Sequence, residues 1–577
     1  TTHHSADKIP ALDGLRGLAC LIVYNYHFLW PWTPLIMLGY GARPPLSPSP
    51  YTSWTQLPIV CLLHRGRPMV AIFFAISGYV VPRHILRLIS RGRRPDDAVY
   101  RRLASAAFRR AFRLYIPATL SMLAVAVLAQ MGGFRSEFDV YKGPDSVYVN
   151  GSVGTYGGSV DGWRVTGVRG SVVGTQGVSV YLSPSVDAGR LVFGVEDGGS
   201  GGGGGGAASG TRGGGGGGGG TGGEKGFRRH PRYRYTAASP PATDAQLAED
   251  WSCEAGCPWA RLGGMWEEHP LVHDSLWHAA TNFTAAWAEW ANPFTFLAVH
   301  PSYDPHTYTM PMELRGSLVM YIFLLATAHL AAGWRLGVAV VLAVHALRIG
   351  RWEVATFLGG MVLSEVDVRW GGLPVEGTHA RRKSTDRAVI PQHHLRPPST
   401  PRTTTSTTIR RGTALRYIGL VASLYLLSYP DTHAESTPGF RTLAAYCPRY
   451  YPSPLEKWRF YHALGALLFL PCCLRTRLLA RTVLESRPAQ YLGRISFAFY
   501  LVHGPVLHGP GFWIMPRLFD AFGGGSGGGS SSGEVSVAGL VFGWVLLGLT
   551  SLVLADVWYW RVDVWSVGVG RRVERAM

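Results

Sequence analysis

Carboxylates are sparse in this chain: 36 Asp and Glu stand against 55 Lys and Arg, and charged residues of either sign fill only 16% of its 577 positions. Soluble globular domains carry about 25% charged residues, so an ordinary soluble enzyme is excluded. Cysteine is scarce too, seven in all. Only Cys253 and Cys257 are closely spaced in a loop, with no His or Cys at zinc-binding distance, so no metal site is expected. The two can pair on the oxidising side of a secretory-pathway membrane. There is no G-x-S-x-G elbow, no repeat at solenoid period and no small-residue cleavage site after the first apolar segment. A covalent acyl-serine route, a repeat scaffold and a cleavable signal peptide are therefore not expected. Long apolar runs are also few, since several segments are nearer about 14 residues than 20.

What is present is a series of apolar segments: 12–30, 69–89, 106–131, 317–333, 335–348, 352–364, 412–429, 458–474, 490–508 and 535–560. They predict an all-α polytopic membrane protein, a bundle of about ten transmembrane helices. The net charge is +19, and the basic residues bunch at 82–113, 365–411 and 475–487 and in the closing RRVERAM. Short loops rich in Lys and Arg stay cytoplasmic, and ten spans put these four segments and both termini on that side. Nucleic-acid binding would need a basic face on a soluble fold, so no nucleic-acid partner is expected; the partner is a lipid bilayer.

Five stretches follow. Residues 1–131 hold the first three spans, and 132–250 form a low-complexity insert placed on the non-cytoplasmic side. Residues 251–364 hold a Trp-rich stretch and the middle spans, 365–411 a basic cytoplasmic linker, and 412–577 the last four spans and a basic tail. The insert begins with a weakly alternating YVNGSVGTYGGSV and becomes nearly pure glycine over 198–223. Such a run buries too little apolar area to offset ordering entropy, so it is expected to be disordered. Trp277, Trp287 and Trp290 suggest a helix lying at the membrane interface. Asn150 and Asn282 begin glycosylation sequons.

The stretch Leu12–Trp30, LDGLRGLACLIVYNYHFLW, carries an arginine and a histidine inside an apolar helix. Ionisable groups in hydrocarbon are costly and mark functional sites. Arg16 and His27 are eleven residues apart, about three helical turns, so they share one face roughly 16 Å apart along the axis. They cannot touch, and the face they share must turn toward protein. A transporter would also carry polar residues inside its spans, but the two halves show no paired repeats.

Several segments in order resemble the membrane-bound acyltransferase 3 family, in its fungal-type branch. They are LDGLRGLA with His27 beyond it, VAIFFAISGYVV at 70–81, RRAFRLYIP at 109–117 and GRISFAFYLVHGPVL at 493–507. Two looser matches are YTMPMELRGS at 308–317, with Tyr308 where tryptophan is usual, and LADVWYWRVDV at 554–564. The resemblance implies an O-acyltransferase that moves an acyl group from acyl-CoA, a co-substrate and not a bound cofactor, to an acceptor hydroxyl on a small molecule, lipid or carbohydrate. It makes His27 the candidate base, since imidazole suits proton transfer near neutral pH. Glu313 and His503 are further catalytic candidates. Arg16, Arg113, Arg110 and Arg109 are candidates for the CoA phosphates, which guanidinium binds in bidentate fashion. Ser77 and Gly78 read as helix packing.

Overall fold

The computed structural model describes residues 9–42, 50–91, 97–134, 270, 273, 275–295, 301, 303–371, 406–451, 457–522 and 536–577, with five short strands inside the insert. The chain divides into two units. One comprises Thr1–Arg135, Leu262–Pro270 and Ala280–Met577, the other Ser136–Arg261 and Leu271–Ala279. In the second unit Gly158–Val160 pairs antiparallel with Trp163–Val165, and Tyr181–Ser183, Leu191–Phe193 and Thr236–Ala237 form a three-stranded antiparallel ladder. The expectation of strand-like alternation thus meets a strand at the end of its segment. The glycine run itself, the linker over 372–405, Asn150 and the Cys253–Cys257 pair lie outside the described residues.

The first unit is helical. α1 spans Pro10–Leu29, α2 Arg67–Val80, α3 Arg83–Arg91, α4 Asp97–Gln130 and α5 Leu276–Trp290. α6 spans Thr309–Thr327, α7 Ala332–Arg348, α8 Trp352–Trp370, α9 Ser406–Leu427 and α10 Phe440–Tyr446. α11 spans Lys457–Arg475, α12 Arg487–Val506, α13 Phe512–Phe522, α14 Val537–Trp558 and α15 Val564–Ala576. Each apolar segment read from the sequence falls mainly on one helix, except 69–89, which is divided between α2 and α3. Among the described residues, three stretches are long and apolar enough to cross a membrane: Arg67–Arg91, Asp97–Gln130 and Val537–Ala576. A fourth arises if Lys457–Arg475 and Arg477–Leu484, bent by 80°, count together. On α14, Val541, Phe542, Val545, Leu549 and Val553 face outward. A contiguous apolar face of that kind fits lipid rather than water.

Buried ion pairs pin the middle helices together. Arg83 reaches Asp367 of α8 at 2.5 Å, and Tyr79 donates to the same carboxylate at 2.8 Å. Arg315 of α6 meets Glu353 of α8 at 3.0 Å, and Arg335 of α7 engages Glu365 of α8 through two nitrogens. Arg83 falls in the basic segment 82–113, whose charge is expected to set topology from a loop, but it is buried and paired. A buried pair contributes little net stability, whereas removing one partner strands the other charge. Trp290 likewise departs from the interfacial reading. Trp277 is exposed, but Trp290 is fully buried and donates from Nε1 to the carbonyl of Thr307 at 3.1 Å. Asn282, a sequon residue, is buried and accepts from the Tyr303 hydroxyl at 3.1 Å, unlike an exposed loop acceptor.

Candidate active site

The frame of the site is a pair of parallel helices from opposite ends of the chain. Cys20 Sγ donates to the carbonyl of Ser496 at 3.2 Å, an offset of 476 residues. The same offset recurs at Gly17–Gly493 and at His27–His503, so α1 and α12 run in the same direction in fixed register. Glycine makes the approach possible: a Cβ on Gly17 would lie 2.4 Å from the Gly493 nitrogen, and one on Gly493 would lie 2.2 Å from the Asp13 carbonyl oxygen. The Gln490 amide closes the lower end by donating to the carbonyl of Pro10 at 2.7 Å.

At the Arg16 end the pair borders a cavity of about 50 Å³ lined by Arg16, Ser77, Glu313, Ser496 and Tyr500, with apolar walls from α2. Glu313 accepts from Arg110 at 2.7 Å and from Ser77 Oγ at 2.9 Å. Its carboxylate is therefore engaged by α4 and α2, not by His27. Arg110 also donates to Ser317 Oγ at 2.5 Å. Arg109 pairs with Glu574 of α15 at 3.3 Å, both half-exposed. Arg16 makes no ion pair or side-chain hydrogen bond among the described residues. Arg113 is exposed, and Arg16, Arg110, Glu313 and Asp563 lie within its electrostatic range. Cations outnumber carboxylates here, an arrangement suited to a ligand carrying several negative charges.

At the other end three imidazoles meet. The His27 ring lies 5.2 Å from that of His503 and 5.8 Å from that of His306, and His306 lies 4.7 Å from His503, all between centroids. His503 and His306 are buried, and neither Nε2 has a hydrogen-bond partner among the described residues. His503 Nδ1 is 3.1 Å from the carbonyl of Phe499. His306 Nδ1 lies 2.8 Å from Asp304 Oδ1, off the line of a straight hydrogen bond. A proton on this nitrogen would replace the repulsion of two facing lone pairs with attraction to the carboxylate. Asp304 Oδ2 accepts from Ser121 Oγ of α4 at 2.6 Å. Tyr500 stands between the two ends: it lines the cavity, and its hydroxyl donates to the carbonyl of His306 at 2.6 Å. The structure thus brings His27 and His503 together, seats Glu313 with the arginines instead, and adds His306 and Asp304. Their only trace in the sequence is a D-P-H triplet, separated by Thr307 from the YTMPMELRGS segment.

Comparison with known proteins bears on the chain's family. Residues 9–163 match the family described as Acyltransferase domain. The chain is similar to Acyltransferase clz18 of Cochliobolus lunatus, 24% identical over 85% of this chain and 81% of that protein. It is similar to Acyltransferase R4 of Phoma sp., 25% identical over the same shares of the two chains. O-acetyltransferase PaAT-1 of Phomopsis amygdali is 24% identical over 97% of this chain and 83% of its own length. No solved structure matches. These matches bear out the resemblance to the acyltransferase 3 family and the reading of the chain as an acyltransferase.

Proposed function

We propose that this chain is an integral-membrane O-acyltransferase that takes an acyl group, acetyl or another, from acyl-CoA and gives it to a hydroxyl on a small molecule, lipid or carbohydrate. The observation that carries the proposal is α1 itself, which offers an unneutralised Arg16 at one end and an imidazole in a three-histidine cluster at the other. Arg16, Arg113 and Arg110 would hold the CoA phosphates from the cytoplasmic side, where the basic loops and both termini lie. The acyl-bearing arm would then extend along α1 toward His27. Attack of a hydroxyl on a thioester needs an acid–base group where the proton moves, and His27 supplies one on the helix that carries the donor. The membrane reading rests on the outward apolar faces of the helices, which also give a lipid-soluble acceptor a route to the site.

The test is transfer of label from radiolabelled acetyl-CoA to a lipid and glycan extract by membranes containing wild type, His27→Ala or Arg16→Ala. Label that moves with wild type and is lost with His27→Ala at equal expression supports the reading. Equal transfer by all three proteins removes α1 from the chemistry.

A further inference from the structure

The His306 imidazole is more elaborately held than any other ring in the cluster. Asp304 adopts a left-handed backbone conformation, φ 62°, immediately before Pro305. A non-glycine residue in that region costs on the order of 1–3 kcal/mol, and such strain persists only where the surroundings fix it. Three helices fix it here. Ser121 of α4 donates to Oδ2, and Tyr500 of α12 bonds the His306 carbonyl. Thr309, the first residue of α6, is 2.7 Å from the same Tyr500 hydroxyl. The last part of the seat is an absence. A Cβ on Gly504 would lie 2.2 Å from His306 Cε1 and 3.0 Å from Asp304 Oδ1, so only glycine at 504 lets the pair lie against α12.

In the tautomer that sets its proton on Nδ1, the nitrogen 2.8 Å from Asp304 Oδ1, His306 presents a bare lone pair on Nε2. That nitrogen is buried without a partner beside His27 and His503. A buried polar atom left unpaired costs about 1–3 kcal/mol. A ligand hydroxyl would remove that cost by donating to it. Among the described residues, His27 shows no carboxylate neighbour of this kind.

Resting on the acyl-transfer reading, we infer that His306, positioned by Asp304, is the base that takes the proton of the acceptor hydroxyl. The acceptor oxygen gives its proton to His306 Nε2 and forms a bond to the thioester carbonyl carbon. Collapse of the adduct breaks the carbon–sulfur bond. The proton passes from His306 to His27, which releases the proton of its other ring nitrogen to the departing sulfur. The products are the ester and free CoA thiol, His306 returns to its starting form and His27 regains its own by tautomer exchange. His306 is then a catalytic residue, and Asp304 and Gly504 are positioning residues.

The experiment measures acetyl ester formation from acetyl-CoA with ethanol and with trifluoroethanol by purified full-length protein, as wild type, His306→Gln, Asp304→Asn, Gly504→Ala and His27→Ala. Loss of a general base matters less for a more acidic alcohol. His306→Gln should therefore lower the ethanol rate by about 10²- to 10⁴-fold and the trifluoroethanol rate by about tenfold less. Asp304→Asn and Gly504→Ala should show the same skew with smaller losses, and the KM for acetyl-CoA should stay near wild type. The ratio of the two rates is internal to each preparation, so partial misfolding cancels. An unchanged ratio, or an undiminished ethanol rate in His306→Gln while His27→Ala is inactive, overturns the assignment and leaves acyl transfer standing. Wild type that forms ester from neither alcohol overturns both.

Discussion

The two ends of α1 solve opposite problems. Around Arg16 the structure gathers charge and neutralises part of it: Glu313 holds Arg110 and Glu574 holds Arg109, while Arg16 has no such partner among the described residues. Around His27 there is hardly any formal charge, and the polar atoms left open are imidazole nitrogens beside one strained aspartate. The first arrangement suits holding an anion and the second suits moving a proton. About three turns of α1 between them keep the two tasks apart, and the contrast teaches that affinity and chemistry should be separable by mutation.

The sharpest way to break that contrast is His27→Ala. It is expected to cut the transfer rate by about 10³-fold or more with little change in KM for the acyl donor, read from initial rates in solubilised protein. Glu365→Ala probes a carboxylate that has no part in either end. It should strand Arg335 in the bundle and destabilise the fold by about 3–5 kcal/mol, measured by denaturant unfolding in detergent beside wild type. Arg16→Ala removes charge-assisted bonds worth about 1.5–3 kcal/mol. It should weaken acetyl-CoA binding by about ten- to a hundredfold in calorimetric titration, with a smaller effect on the turnover of saturated enzyme. Arg109→Ala should do least: its pair with Glu574 is half-exposed, so stability should change by under about 1 kcal/mol and donor affinity hardly at all. Equal losses of turnover and affinity at both ends of α1 would erase the distinction.

Much of this is legible in the sequence wherever a polar residue interrupts hydrocarbon. Arg16, His27 and His503 stand out because nothing cheap explains an ionisable group inside an apolar helix, and the helices fall where the apolar segments predict. Asp304 and His306 are not legible, because they sit in a polar stretch ahead of α6, where Asp, Pro and His are ordinary loop residues. Their meaning comes from the elements packed around them, above all from Gly504, far downstream on α12. Glu313 is legible as a functional carboxylate but not in its direction. One turn into α6 its side chain meets α4 and α2, a matter of helix rotation that spacing alone does not fix. The buried faces of Trp290 and Asn282 escape for the same reason, since composition marks α5 as interfacial without saying which side docks.

The parallel pairing of α1 with α12 bears on how the enzyme comes into being. The histidines that meet are 27 and 503, so no nascent chain short of the last two apolar segments contains a complete site. The ribosome releases the first helix long before any chemistry is possible there, and closing so long a loop is among the slowest kinds of contact to form. Maturation would then end in a single late docking event. Two separately expressed fragments, cut within the basic linker after Gly371, would have to find one another through that helix pair to regain activity.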